Sequence, residues 1–452
     1  MSGQANQDGI GVGLIGFGTI GTGVVKVLSE NATEIEQRLG FPLRLVRIAD
    51  LDTETDRGVD LGEIQFDADA AGLIADPKVQ IVIELIGGYD VPRKFILEAF
   101  AAGKHVVTAN KALLALHGRE IFAAAASAGL DIAFEAAVGG GIPVLRSLRE
   151  GLSANKIERV LGILNGTTNY MLTEMESTGE DFEVVLKRAQ ELGYAEADPT
   201  FDIDGIDAAH KLALLAAMAY GAELTIDEIP TEGIRGLLPI DFELAAEFGY
   251  RIKLLGVAKC HRSSEHGAEG IERIEARVRP TMVPVTSMLA NVEGAMNAIE
   301  VCGNAVGPTL YYGAGAGEMP TASAVVSDLM EISREIKRGG CGRVSPLSYL
   351  PQHIVPKPVV SDSEIMGRAY LRFTAKDEPG VLSRITGALG EEGVGIASVV
   401  QRELGLAGGG TVPVIVLTHS ASEAALRAAL EKIEALAEVV EAPRVIRIEE
   451  EL

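Results

Sequence analysis

At 452 residues, 47% hydrophobic and 23% charged, the chain has the balance of a globular protein and, at about 150 residues per domain, room for two to four domains. Its net charge of −24, from 64 acidic against 40 basic residues, repels phosphate backbones and excludes non-specific nucleic-acid binding. Cys260, Cys302 and Cys341 stand far apart with no paired spacing. That excludes a disulfide framework or a cysteine zinc site and fits a reducing, cytoplasmic setting.

No apolar run approaches the roughly 18 residues that a membrane helix needs. The start, residues 1–9, lacks a basic patch followed by an apolar stretch, so it reads as a loose tail rather than a secretory signal. Residues 10–134 alternate short β-rich runs (Ile10–Ile15, Leu43–Ala49, Ile81–Ile86, His105–Thr108) with helical stretches such as Ile20–Leu28, Pro92–Ala102 and Glu120–Ala128. This alternation predicts an α/β fold built on a doubly wound, Rossmann-type parallel sheet.

After Glu135 the pattern changes. Val138–Pro143 is a glycine hinge ending at a proline, and residues 144–260 read as mainly helical, with helices over Val144–Leu152, Phe182–Leu192 and Ala208–Tyr220. β-like runs follow at Ile274–Val278 and Thr309–Tyr312, and then Pro320–Ile336 reads as one helix with an N-terminal proline. The proline-bearing stretch 346–368 reads as a linker. From Ala369 the order strand, helix, strand, strand, helix, strand predicts a ferredoxin-like module over 369–452.

Gly16-Phe17-Gly18-Thr19-Ile20-Gly21 follows a strand and opens a helix, the context a dinucleotide fingerprint requires. Gly16 would permit the tight turn, Gly18 the approach of a pyrophosphate, and Gly21 close packing of helix on strand. The phosphates would then sit at the helix N-terminus, where free N–H groups favour anions. Asp50, at the end of the second strand, suits a ribose 2′-hydroxyl and so leans towards NAD; Arg57, a few residues on, is able to reach a 2′-phosphate.

Lys111 ends the strand motif Thr108-Ala-Asn-Lys, beyond a carboxyl edge where ligands of open α/β sheets lie. Asp207 and Lys211 are four apart and share a helix face. An exposed ion pair of that kind is worth only a few tenths of a kcal/mol. The rest of that helix is apolar, however, and a charged pair at a buried edge is more expensive, which points to a site. No cysteine lies in any of these motifs and no nucleophile elbow is present, which argues against thioester chemistry and Ser–His–Asp hydrolysis. Lysines and carboxylates beside a nicotinamide suit carbonyl–alcohol interconversion, with a lysine giving the proton as hydride reaches carbon.

These motifs, with Glu84–Gly88, Val106–Lys111, Glu135–Pro143, Gly162–Tyr170, Gly193–Lys211 and Tyr311–Asp328, resemble the homoserine dehydrogenases over most of the chain. The resemblance implies reversible NAD(P)H-dependent reduction of L-aspartate 4-semialdehyde to L-homoserine, in threonine, methionine and isoleucine biosynthesis. It implies Lys211 as proton donor and acceptor, Lys111 as a second lysine near substrate and nicotinamide, Glu196 holding the substrate amino group, and Asp207 orienting Lys211. Gly87 and Gly317 become cofactor contacts, and Glu135, Val138, Gly140 and Ile142 match positions that offer mostly backbone oxygens to sodium. A nucleotide domain over 10–140, completed by the helix near 320–340, a substrate and dimerisation domain over 141–319, and a homodimer or homotetramer are also implied. The C-terminal module, with Asp377-Glu-Pro-Gly380 opening its first helix, resembles an ACT domain, and threonine is the effector this suggests. Two other readings stay open: a dehydrogenase for another amino-acid semialdehyde, and a nucleotide and amino-acid sensor without turnover.

Overall fold

The computed structural model describes residues 9–262, 272–401 and 410–450; of the expected terminal tail, residues 1–8 lie outside them. Contacts divide the chain into two units. The first comprises Met1–Val160, His210–Asp227 and Met296–Pro356, and the second comprises Leu161–Ala209, Glu228–Ala295 and Lys357–Leu452.

The first unit is built on six parallel strands: β1 (Ile10–Ile15), β2 (Leu43–Ala49), β3 (Gln65–Asp67), β4 (Ile81–Glu84), β5 (His105–Thr108) and β6 (Ile132–Ala133). They lie in the order β3-β2-β1-β4-β5-β6, the doubly wound order whose direction reverses between β1 and β4. All six residues of β1 and all four of β4 are buried, as expected of parallel strands covered on both faces. Three helices matter for the site: α1 (Thr19–Glu30), α2 (Asp90–Ala101) and α3 (Lys111–Ala128). The helix Glu318–Arg338 comes from far down the chain. It buries Ala322, Val325, Leu329 and Ile332 in the core formed by Val12, Leu14, Val24 and Ile48. Pro320 occupies its first turn, where a missing N–H costs nothing.

Several elements differ in extent from the sequence reading. The first long helix after β5 begins at Lys111 rather than near residue 120, because the Asn110 side chain caps it by accepting the Leu113 N–H at 3.1 Å. Residues 144–151 form one short α-turn followed by a π-turn instead of a regular helix.

Helices occupy much of 144–260 as expected, but the end of that span is strand. After α4 (Gly166–Thr178) and the start of α5 (Ile206–Tyr220), β7 (Tyr250–Arg262) and β8 (Glu272–Pro284) pair antiparallel over their full lengths. Most of β7 is buried on both faces, so it lacks the alternating pattern that marks a half-exposed strand. The C-terminal module consists of β9 (Met366–Lys376), α6 (Val381–Glu391), β10 (Ile396–Gln401), β11 (Thr411–Thr418), α7 (Glu423–Glu434) and β12 (Arg444–Ile448). That is the expected strand and helix order. Its strands lie in the order β12-β9-β11-β10, and β12 pairs in parallel with β8 at Thr281↔Arg447 and Met282↔Ile448. The module therefore continues the sheet of its own unit. The proline-bearing stretch before it also lies along that sheet, with Ile274 N–H donating to Pro358 O at 2.9 Å and Val360 N–H to Ile274 O at 2.9 Å. Among the described residues no helix is long and apolar enough to cross a membrane.

Candidate active site

In the first unit, the carboxyl ends of β1, β2, β4 and β5 carry the candidate nucleotide residues. Gly16 has φ +98°, and a Cβ there would lie 2.7 Å from the Leu85 carbonyl carbon, so only glycine makes this turn. A Cβ on Gly21 would lie 2.3 Å from the Gly16 oxygen, so that glycine lets α1 close on the strand. Gly18 is different. Its φ is −75° and a Cβ would meet nothing of the protein within 4 Å. The space in front of it is open, and no side chain caps α1 there. Uncapped N–H groups at a helix start beside an open glycine fit the pyrophosphate of a dinucleotide.

Asp50 buttresses this turn: its carboxylate accepts the Phe17 N–H at 2.5 Å and the Asp52 N–H at 2.8 Å. A carboxylate has about four acceptor positions, so capacity for a ribose hydroxyl remains. Arg57 does not reach outward. It donates to the Phe17, Thr55 and Asp52 carbonyls, and its guanidinium lies 4.8 Å from the Phe17 ring centre and 5.7 Å from that of Phe66.

Glu84, fully buried, is a further candidate to which the sequence reading gave no role. It faces Thr108 across the β4–β5 register, accepts the Thr108 hydroxyl at 2.7 Å and the Ile86 N–H at 2.8 Å, and burial raises its carboxyl above the ordinary range. Thr108 Oγ1 in turn accepts the Asn110 N–H at 3.0 Å, and Asn110 Nδ2 donates to Gly88 O at 2.8 Å. This chain fixes the Gly87–Gly88 loop and the start of α3, and thereby the half-buried Lys111. The sequence offered Glu84 only as the first residue of the Glu84–Gly88 motif and as an acidic residue closing an apolar run. Gly317, with φ +121°, caps the helix Glu318–Arg338 in a conformation that favours glycine.

Glu135 and Asp328 form a buried acidic pair in the same unit. The Glu135 carboxylate accepts the Leu145 and Arg146 N–H groups at 2.9 and 2.8 Å, and its own N–H donates to Asp328 at 2.8 Å. Burial, and then the neighbouring Asp328 charge, push the Glu135 carboxyl up to about 7. The next turn runs through left-handed Gly139 and Gly140. Among the described residues no N–H donates to the buried carbonyls of Val138 or Gly140, whereas that of Ile142 accepts from Val144 at 2.8 Å. Buried carbonyls without donors fit a monovalent cation, although no cluster of three or more His, Cys, Asp or Glu suited to a metal exists among the described residues.

In the second unit, Asn165 organises the acidic cluster. It caps α4 by accepting the Thr168 N–H at 2.8 Å, while its Nδ2 donates to Asp202 at 2.7 Å and to Asp207 at 2.9 Å. One amide thus bridges two carboxylates from a buried position. Asp207 lies in the first turn of α5 and is buried; so is Lys211, which counts with the first unit. Glu196 sits on an exposed loop whose backbone is held by Gln190, which donates to the Glu196 oxygen at 3.1 Å. Asp202 and Asp207 lie in one acidic stretch of the sequence, but the role of Asn165 escaped the sequence reading because no local spacing links it to carboxylates 37 and 42 positions on.

The family described as homoserine dehydrogenase matches residues 143–330, its NAD-binding domain matches residues 16–135, and the ACT domain matches residues 369–435. The chain is 47% identical over 440 residues to the homoserine dehydrogenase of Pseudomonas aeruginosa, covering 97% of this chain and 98% of that one. It is similar to the crystal structure of a homoserine dehydrogenase from Thiobacillus denitrificans, with a TM-score of 0.89, 47% identity, and coverage of 97% and 98%. A hyperthermophilic archaeal homoserine dehydrogenase mutant in complex with NADPH is 25% identical, with a TM-score of 0.59, covering 72% of this chain and 97% of that one.

Proposed function

The chain belongs to the homoserine dehydrogenase family, and from that premise we propose how its own residues carry the NAD(P)-dependent interconversion of L-homoserine and L-aspartate 4-semialdehyde. A bound nicotinamide dinucleotide would supply the hydride for reduction and accept it for oxidation. The Lys211 ammonium gives its proton to the carbonyl oxygen as negative charge develops there, and takes it back during oxidation. Asp207, one turn earlier on α5, holds Lys211 in orientation. Lys111, at the start of α3, is the second lysine, and Glu196 holds the substrate ammonium through a charge-assisted hydrogen bond. The observation that carries this reading is the Asn165 bridge between Asp202 and Asp207, which fixes a buried carboxylate one helical turn from a buried lysine.

Val138 and Gly140 would hold a sodium ion through their carbonyls, with Glu135 and Ile142 beside them, and the ion would supply fixed positive charge that orders the hinge. Asp50 supports NAD as the preferred coenzyme. The ACT domain, matched at residues 369–435, supports feedback by threonine, and we propose a homodimer or homotetramer working in the cytoplasm. The nucleotide domain is taken as 10–140 with the helix near 320–340, the substrate domain as 141–319, a linker as 346–368, and the regulatory domain as 369–452.

Initial rates with NAD and NADP in parallel, with and without threonine, and with sodium replaced by choline, test these assignments together. Turnover that survives Lys211→Ala but is abolished by Lys111→Ala would exchange the roles of the two lysines.

A further inference from the structure

The stretch 231–236 forms no regular element of its own, yet each side of it is held firmly. On one side it grips the turn that separates Asp202 from Asp207. Ile234 N–H donates to Ile203 O at 2.8 Å, and Arg235 Nε donates to Asp204 at 2.7 Å. The approach is so close that a Cβ on Gly233 would lie 2.3 Å from the Ile203 oxygen and 2.5 Å from the Asp204 Cα. Asp202 and Asp204 flank Ile203 directly, so a shift of this stretch displaces the carboxylates that Asn165 bridges.

On the other side the stretch is held by arginines of the C-terminal module. Arg444 of β12 donates to Gly233 O at 3.4 Å, Arg447 of the same strand to Glu232 at 3.3 Å, and Arg372 of β9 to Gly236 O at 3.1 Å. Arg447 and Arg372 are themselves anchored. Glu423 accepts two hydrogen bonds from Arg447, both at 2.8 Å, and fully buried Asp241 accepts from Arg372 at 2.8 Å. Bidentate and buried charge pairs fix direction as well as distance. Arg279 of β8 completes the hold on Glu232 at 3.0 Å.

We propose that residues 231–236 are a positioning clasp through which the C-terminal module holds the Asp202–Asp207 turn in register for the amino-acid substrate. On this account the module is part of the substrate site at all times, apart from any effector it binds. The proposal rests on the reading of Asp207 given above. It assigns Arg444, Arg447 and Glu232 as positioning residues, which act on substrate through the acidic turn.

The test uses the full-length enzyme and initial rates of homoserine oxidation. Arg444→Met should raise the homoserine KM by about tenfold while the dinucleotide Kd, read by NADH fluorescence, stays within about twofold. Arg444→Lys keeps a donor for Gly233 O and should restore most of the loss. Gly233→Ala pushes on Ile203 from the opposite side and should give the same signature. If Arg444→Met does not fold, the milder Glu232→Gln is read in the same way. A homoserine KM unchanged in these variants, or a parallel fall in kcat with both KM values fixed, overturns the clasp. Asp207→Asn separates the two claims. If it leaves homoserine turnover unchanged, the reading of the site fails and the clasp falls with it. If it impairs turnover while the clasp variants keep the parental KM, the clasp alone is wrong.

Discussion

Asn165→Asp replaces the bridging amide with a third carboxylate and changes little else. The cap of α4 survives, because an aspartate oxygen accepts the Thr168 N–H as well as an asparagine oxygen does. What is lost is the donor that lies 2.7 Å from Asp202 and 2.9 Å from Asp207. Three carboxylates at such distances, with positions 165 and 207 buried and Asp202 half-buried, favour one shared proton over full ionisation, so the cluster takes up a proton on folding. Protonating a carboxyl with an ordinary pKa near 3.9 costs about 4 kcal/mol at pH 7 and about 1.5 kcal/mol at pH 5, and these values bound the destabilisation from above. The sign follows from the shift: the folded pKa lies above the unfolded one, so the penalty is absent in acid and grows as pH rises. Thermal unfolding midpoints of parent and variant should therefore diverge between about pH 5 and pH 8, with the variant falling behind. The homoserine KM of the variant should rise alongside. Midpoints that run parallel across this range would refute the bridge.

Lys211→Ala should lower kcat by on the order of a hundredfold or more, with NADH binding largely retained in a fluorescence titration. Gly18→Ala should leave the unfolding midpoint almost unchanged, since its Cβ meets no protein atom, but should weaken dinucleotide affinity by about tenfold or more. Gly21→Ala, whose Cβ meets the Gly16 oxygen at 2.3 Å, should cost about 1–3 kcal/mol of stability in urea unfolding. Lys253 of β7 is fully buried, donates to Val292 O at 2.7 Å, and is pushed down to about 8 by burial. A lysine whose folded pKa is depressed binds fewer protons than in the unfolded chain, so its contribution to stability rises as pH climbs from about 8 towards 10.5. Lys253→Met should flatten that part of the stability profile, and an unchanged slope would show the ammonium to be better solvated than its position implies.

Local features of the sequence carried a good part of this protein. The glycine fingerprint pointed to a turn, an open approach and a close packing contact, and Gly16, Gly18 and Gly21 have these three environments. Alternating strands and helices up to residue 134, and the strand and helix order of the last domain, also follow from short-range patterning, because hydrophobic periodicity and turn chemistry act over a few residues. Strand β7 was hidden, since burial on both faces erases the alternation that identifies a strand.

What only the tertiary structure decided are the contacts between residues distant in the chain. Asn165 meets Asp202 and Asp207, Glu84 meets Thr108, and Arg444 and Arg447 reach the stretch at 231–236. None has a spacing to read, because a side-chain hydrogen bond depends on separation in space, and folding sets that separation by burying apolar faces with no regard for position along the chain. The sequence therefore determined which chemical groups were present and which short elements bore them. The packing of those elements decided which groups became partners.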